Sequence, residues 1–400
     1  MTRSLDSRPP AGPGTAGPTA LRQRLAELRG PGTAARPLDA RALAALAANP
    51  GCRRRALLDG AGVDKGALAR ALGAPASFGQ SQFAIARGNS FEKRVKADGG
   101  TALVRLLQER LGNGSPEPES VDAPDLSAAG PEGRTARTAL ALRDATAAGR
   151  WALLDHPMLA LDVAGTPAYL EPDAVVVHPD GGWTVVEIKS FPMVDGTADA
   201  AKAGAAARQA AVYALALERV AGRLQEPSPR VHARVLLVCP KDFSNLPAAE
   251  LVDVRKQLAT TRRQLARLSR VEDIVAALPP GTTFDLCPSG DGRTVTRPAE
   301  ELLAALDAVE AAYVPDCLAA CELAFHCRAR SREAGAVEAL GRGLRGELGG
   351  LTTVGSALAA ARGEAGEADD PAVAALRRAA ALRAEALSRA SAEAGAAACR

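Results

Sequence analysis

Aromatic residues are scarce, at 3% of the chain. That argues against a surface built from many base-stacking platforms. No run of about 18 apolar residues occurs, so no membrane span is expected. The N-terminal MTRSLDSRPPAGPGTAGPTA has no apolar core of a secretory leader, so a cytoplasmic protein is expected. A G-x-x-x-x-G-K-[ST] loop is missing, which removes a phosphate-loop motor. A strong charge bias is missing too. The net charge is +3, too mild to argue nucleic-acid binding alone, so any basic surface must be local. Lysine is the rarer cation, with 7 Lys against 42 Arg, so a lysine inside a motif carries more weight than usual.

What is present is an ordinary core-forming balance, 47% hydrophobic and 24% charged over 400 residues. Residues 1–19 are rich in Pro, Gly and Thr and read as a disordered leader. Helical patterns fill 20–75, then 84–111 with a break, then 135–149, while 112–134 reads as a low-complexity insertion. The period then changes. Residues 168–178 and 183–190 read as a β-hairpin closed by Pro179-Asp180-Gly181-Gly182. An Ala-rich helix follows over 198–221, a strand over 231–238, a helix from Arg255 to Leu278 and a short strand over 282–287. From 298 the pattern is helical, and 331–400 is an Ala/Arg/Glu-rich extension, packed or partly disordered. This order predicts an α/β core with a small mixed sheet flanked by helices.

The hairpin carries the chemistry. Pro172-Asp173 precedes Glu187-Ile188-Lys189 at hairpin spacing. Residues i and i+2 of a strand share a face, so Glu187 and Lys189 point one way and Asp173 can meet them from the neighbouring strand. Two carboxylates together bind a hard cation such as Mg²⁺ or Mn²⁺, and the Ile188 carbonyl could add an oxygen. An adjacent ammonium can orient or help deprotonate water, which suits metal-assisted phosphodiester hydrolysis. A surface Glu/Lys pair would explain an isolated E-x-K. Here the pair lies inside the apolar run TVVEIKSF, where charge is costly. Gln209 and Tyr213, four apart on the next helix, share a face and can serve the same site. Glu92, opening a helix after Gly88-Asn89-Ser90, could supply a further carboxylate or simply answer the helix dipole.

Of seven cysteines, three cluster as Cys317, Cys321 and Cys327, and Cys52 stands far upstream. Four thiolates hold an iron–sulfur cluster or a structural zinc, and this set would staple two distant segments. His326, beside Cys327, is an alternative ligand. Arg53, Arg54 and Arg208 are candidates for phosphate contacts.

Taken in order, Cys52, Gly88 to Glu92, Asp173, Glu187-x-Lys189, Gln209-x-x-x-Tyr213 and the cysteine trio resemble the PD-(D/E)xK nucleases of the RecB type. The iron–sulfur branch, with the AddB nuclease domain and the CRISPR-associated adaptation exonucleases, is the most similar. The resemblance spans about residues 45–330. It implies a restriction-endonuclease-like core over 20–330, with helical extensions closed by the cluster. Asp173 and Glu187, with the Ile188 carbonyl and Glu92, would ligate the metal, and Lys189 would position water. Gln209 and Tyr213 would support the site. The four cysteines would hold a 4Fe-4S cluster, with zinc as the alternative. The expected activity is that of an exonuclease on single-stranded or free-ended DNA, in repair, phage defence or spacer acquisition. The alternative is a DNA-binding subunit serving a separate helicase or nuclease partner. Two features depart from the family pattern. Three residues separate Cys317 from Cys321 where two are common, and Glu92 stands where many members carry His.

Overall fold

His178-Pro179-Asp180-Gly181-Gly182 closes the central hairpin. The His178 N–H donates to Gly182 O at 2.8 Å, and Gly181 takes φ 79°, a conformation that only glycine adopts without cost. This turn lies inside a computed structural model. It describes residues 18–75, 82–112, 120–164, 166–224, 229–242, 244–268, 270–290, 295–367 and 369–398. Among the described residues nine strands occur in chain order: β1 Ala152–Asp155, β2 Leu159–Val163, β3 Thr166–Leu170, β4 Ala174–Val177, β5 Trp183–Ile188, β6 Met193–Val194, β7 Thr197–Ala198, β8 Arg234–Pro240 and β9 Pro247–Asp253.

Five of them form one sheet in the order β1-β4-β5-β8-β9. Only β5 and β8 are parallel, and the helix Ala200–Ala221 makes the crossover between them. β2 pairs with β3, and β6 with β7, as separate ribbons. The molecule is therefore α/β, with a small mixed sheet flanked by helices.

Every residue of β4 and β5 is buried, because helices cover both faces. On one face Val175, Val177 and Val185 join Ala210, Ala214 and Leu217 of the crossover helix. On the other, Val176, Val186 and Ile188 pack with Phe91, Val95, Leu103 and Leu107, from the helices Gln82–Val95 and Thr101–Leu111. Gly100 opens the second of these helices with φ 85°. A Cβ there would meet Leu153 Cδ2 at 2.2 Å, so glycine lets the helix close onto β1.

Several expectations are corrected. The run 168–178 is two strands, since the chain breaks at Glu171-Pro172-Asp173 and β3 turns away to pair with β2. Proline has no N–H for a ladder. The segment 282–287 joins no ladder. Its Phe284 N–H donates instead to Leu28 O at 2.8 Å. The helix expected from Arg255 to Leu278 is two, Arg255–Leu265 and Val271–Ala276. Helix already begins at Gly130, inside the expected insertion, whose residues 113–119 lie outside the described ones, as do 1–17 of the expected leader. Past 330 the described chain is largely helical, with Ala360 of Val354–Arg362 and Val373 of Pro371–Ala398 buried. No described helix is long and apolar enough to cross a membrane.

Candidate metal centre and thiol cluster

At the end of β5 the ladder passes from backbone to side chains. Ala174 is the last β4 residue paired with β5, opposite Val186. The next residue back, Asp173, accepts the Ile188 N–H on its Oδ2 at 2.6 Å. On the other edge the Lys189 N–H donates to Val238 O at 2.8 Å, continuing the β5–β8 pairing. Glu187 and Lys189 are thus held from both sides, on the face covered by the crossover helix.

Glu187 is 1% exposed. Its Oε1 is ion-paired with Lys189 Nζ, yet neither oxygen accepts a well-formed hydrogen bond among the described residues. Burial pushes its pKa up to about 7. Lys189 opposes that rise, and Asp173 and Glu92 reinforce it. Asp173 is also raised, by burial first, against the pull of Lys189 and the Ile188 N–H. Burial works against the charged form of Lys189, but Glu187 and Asp173 outweigh it and hold its pKa above the ordinary value. Lys189 Nζ reaches Gln209 Oε1 at 3.5 Å, Gln209 Nε2 donates to Tyr213 Oη at 3.0 Å, and Tyr213 Oη donates to Glu171 O at 3.2 Å. The Tyr213 hydroxyl is held well above its usual range by burial, with the Glu187 charge adding to it. The five residues expected to form a catalytic group therefore stand together.

Glu92 lies beside them in a second constellation. Its Oε1 meets Lys96 Nζ at 2.6 Å and His156 Nε2 at 2.9 Å. Lys96 Nζ also reaches Asp155 Oδ1 at 2.5 Å and donates to Asp173 O at 2.7 Å. The hydrogen bond with His156 is the main cause that lowers the Glu92 pKa to about 2, and the same bond raises that of His156. Sequence reasoning missed Lys96, Asp155 and His156. A Glu-x-x-x-Lys spacing on one helix was the signal for Lys96. Nothing marked His156, whose left-handed backbone (φ 46°) turns the chain after β1.

The thiols gather where two distant segments meet. Asn49 Nδ2 donates to Ala312 O at 2.6 Å and to Cys317 Sγ at 3.4 Å. The Arg54 N–H donates to Glu310 O at 2.8 Å. Cys52 precedes the helix Arg53–Ala61, and Cys317 sits in the 3₁₀ turn Pro315–Ala319. Cys327 is close enough to feel the charge of Cys52 and Cys317, and Cys321 that of Cys327. Burial pushes the free Cys321 thiol up to about 12. His326 is buried beside them, and its Nε2 lacks a hydrogen-bond partner among the described residues.

The basic candidates divide. Arg54 is 7% exposed and Arg55 is 5% exposed. Arg54 donates to Val309 O at 3.2 Å and reaches Cys327 Sγ at 3.6 Å, so it faces the thiols and not a surface ligand. Arg55 donates to Ala320 O at 2.7 Å and pairs with Asp59 at 3.0 Å. Arg53 is half-buried, 3.9 Å from Glu310, and Arg208 is exposed.

Among the described residues, the three His, Asp or Glu side chains whose ligand atoms all lie within 4.8 Å of one another are Glu92, Asp155 and His156, a group that includes neither Asp173 and Glu187 nor any of the four cysteines. Oxygen donors that include a buried carboxylate without hydrogen bonds suit Mg²⁺ or Mn²⁺. Two buried guanidiniums, Arg54 beside Cys327 and Arg55 near Cys321, bring positive charge to the cysteines. A cavity of about 550 Å³ lies elsewhere, lined by residues including Arg230, His232, Arg234 and Arg255, and contains none of these side chains. No family model and no curated protein matches the chain.

Proposed function

We propose that this chain is a metal-dependent DNA nuclease of the cytoplasm. One observation carries the reading. A carboxylate buried to 1% exposure has no hydrogen bond beyond its ion pair, and stands beside a second raised carboxylate and an ammonium. Such an arrangement is costly for a purely structural core, and it becomes balanced when a divalent cation joins it. The antiparallel β4–β5 pair and the helical crossover to a parallel β8 support a restriction-endonuclease-like core.

Asp173 and Glu187, with the Ile188 carbonyl, would hold Mg²⁺ or Mn²⁺. A divalent ion held there would supply Lewis-acid chemistry for phosphodiester hydrolysis. Lys189 fixes the attacking water and offsets charge on the phosphate. Gln209, held by Tyr213, keeps the ammonium on the carboxylate face. Cys52, Cys317, Cys321 and Cys327 would hold a 4Fe-4S cluster, joining the segment 49–55 to the segment 309–327. The substrate read from the sequence is single-stranded or free-ended DNA, cut exonucleolytically, with Arg208 and Arg53 available to phosphates.

The test is degradation of end-labelled single-stranded and duplex DNA by anaerobically purified protein, with Mg²⁺ or Mn²⁺ and with Lys189→Ala in parallel. Metal-dependent cutting that vanishes in the variant supports the reading, and the fragment ladder gives polarity. Equal cutting by both proteins refutes the site. DNA binding without cutting by either would favour the recruiting-subunit alternative.

A further inference from the structure

Lys96 is unlike a surface lysine. Its side chain is 10% exposed, and its ammonium lies within 2.7 Å of three oxygens, on Glu92, Asp155 and the Asp173 backbone. His156 Nε2 stands 3.4 Å away as a fourth contact. Without the ammonium, Glu92, Asp155 and His156 would form a ligand set for a divalent ion, since one donor atom from each lies within 4.8 Å of the others. These three residues come from a helix, the end of β1 and the turn after it, all directed to one point. That point touches the backbone of Asp173, one of the two carboxylates proposed to hold the metal.

Two-ion phosphodiesterases place a second cation about 3.5–4 Å from the first. We infer that in this chain the Lys96 ammonium fills that second-cation position, so that the site takes one divalent ion and not two. This inference rests on the nuclease reading above and changes one part of the expectation from sequence. Glu92 becomes the anchor of a fixed ammonium and not a ligand of the metal.

A lysine ammonium has three protons, and the three oxygens receive all of them. An incoming Mg²⁺ would need the same donors at about 2.0–2.1 Å, with a unit positive charge in its place. If the ammonium moved into bulk water, Glu92 would keep only His156 as a close cationic partner, and Asp155 would lose its shortest ion pair. Unlike a second metal ion, the ammonium cannot be lost by dilution. The site's occupancy should therefore depend on metal concentration with a single step.

The test counts Mn²⁺ on the full-length chain, purified without oxygen and freed of loosely bound divalent ions. Titration is followed by calorimetry and by electron paramagnetic resonance of the free ion. The expected wild-type count is one Mn²⁺ per chain, rising to two in Lys96→Met and in the milder Lys96→Gln, each checked for native circular dichroism. Two ions in the wild type would overturn the inference while leaving the nuclease reading intact. One ion in the wild type and still one in both folded variants would overturn it as well. No ion in the wild type would remove the nuclease reading and this inference with it. A wild-type count of two overturns the inference even where neither variant folds.

Discussion

Asp173 Oδ2 accepts the Ile188 N–H at 2.6 Å, so one carboxylate both continues the hairpin ladder and faces the proposed metal. Two substitutions separate these roles. Asn keeps a carbonyl oxygen for the Ile188 N–H but loses the charge. Ala loses both and leaves a buried donor unpaired, at about 1–3 kcal/mol. Asp173→Asn is expected to lose Mn²⁺ binding with little change in urea-unfolding free energy, and Asp173→Ala to lose both. Equal destabilisation by the two would refute the ladder role.

Lys189 and the metal compete for the same negative charge. Removing the ammonium therefore should not weaken Mn²⁺ binding, because the carboxylates stay and a neighbouring positive charge goes. Lys189→Met is expected to bind Mn²⁺ at least as tightly as the parent chain while its cutting rate falls by about a hundredfold or more. Calorimetry and the end-labelled DNA assay check the two halves. A parallel loss of metal would make Lys189 a support for the ligands and not a partner of the water.

His178 supplies a pH dependence far from the proposed metal. It is 2% exposed, and burial lowers its pKa from 6.5 to about 4, with His232 pushing the same way. The unfolded chain takes up this proton below about 6.5 and the native chain only near 4. The His178 contribution to stability is thus unaffected above 6.5 and falls as the pH drops between these values, by about 3 kcal/mol at the lower end, while the raised carboxyl of Glu187 acts in the opposite direction over the same range. Urea melts at pH 7.5, 5.5 and 4.5 should show the stability difference between the parent chain and His178→Gln shrinking or reversing as the pH drops, which isolates His178 from the opposing carboxyls. The His232 pKa is also lowered by burial, so some slope will persist. An unchanged profile in the variant would assign the acid sensitivity elsewhere.

The thiol cluster gives a prediction about an arginine. Arg54→Met keeps all four cysteines but removes the guanidinium that reaches Cys327 Sγ at 3.6 Å. A net-negative cluster in that pocket would lose a buried counter-charge. Iron and acid-labile sulfide per chain should fall at least twofold, and Arg54→Lys should recover part of the loss. Unchanged iron would make Arg54 a packing residue. Zinc found in place of iron and sulfide would replace the cluster with a structural zinc site.

The central hairpin was legible because its signals are local. Asp180-Gly181-Gly182 marks the turn, and charges inside TVVEIKSF mark the face that matters. β1 was not legible, since four residues cannot establish a period, and the partly exposed edge strand β9 carries Pro247 and Glu250. The break at Pro172 could have been read from the proline alone. Arg54 looked like a surface residue because arginine usually is one. Its burial depends on carbonyls at Val309 and Glu310, remote in sequence, which no local pattern announces. His156 was hidden for the same reason, as its partner Glu92 lies on another element.

Tyr213 tests whether the polar chain on the crossover helix acts as a unit. Its hydroxyl accepts from Gln209 Nε2 and donates to Glu171 O, and Gln209 Oε1 faces Lys189. Tyr213→Phe leaves the ring packed and removes only these links, at a cost of about 1 kcal/mol in stability. If the links act by holding the ammonium, cutting should slow by about tenfold, the factor that 1.4 kcal/mol of barrier represents, with Mn²⁺ affinity unchanged. Gln209→Ala should slow it similarly. The double variant should be no slower than the worse single one, because both break the same chain of contacts. Multiplicative losses would mean that Tyr213 and Gln209 act separately, one of them on the DNA strand itself.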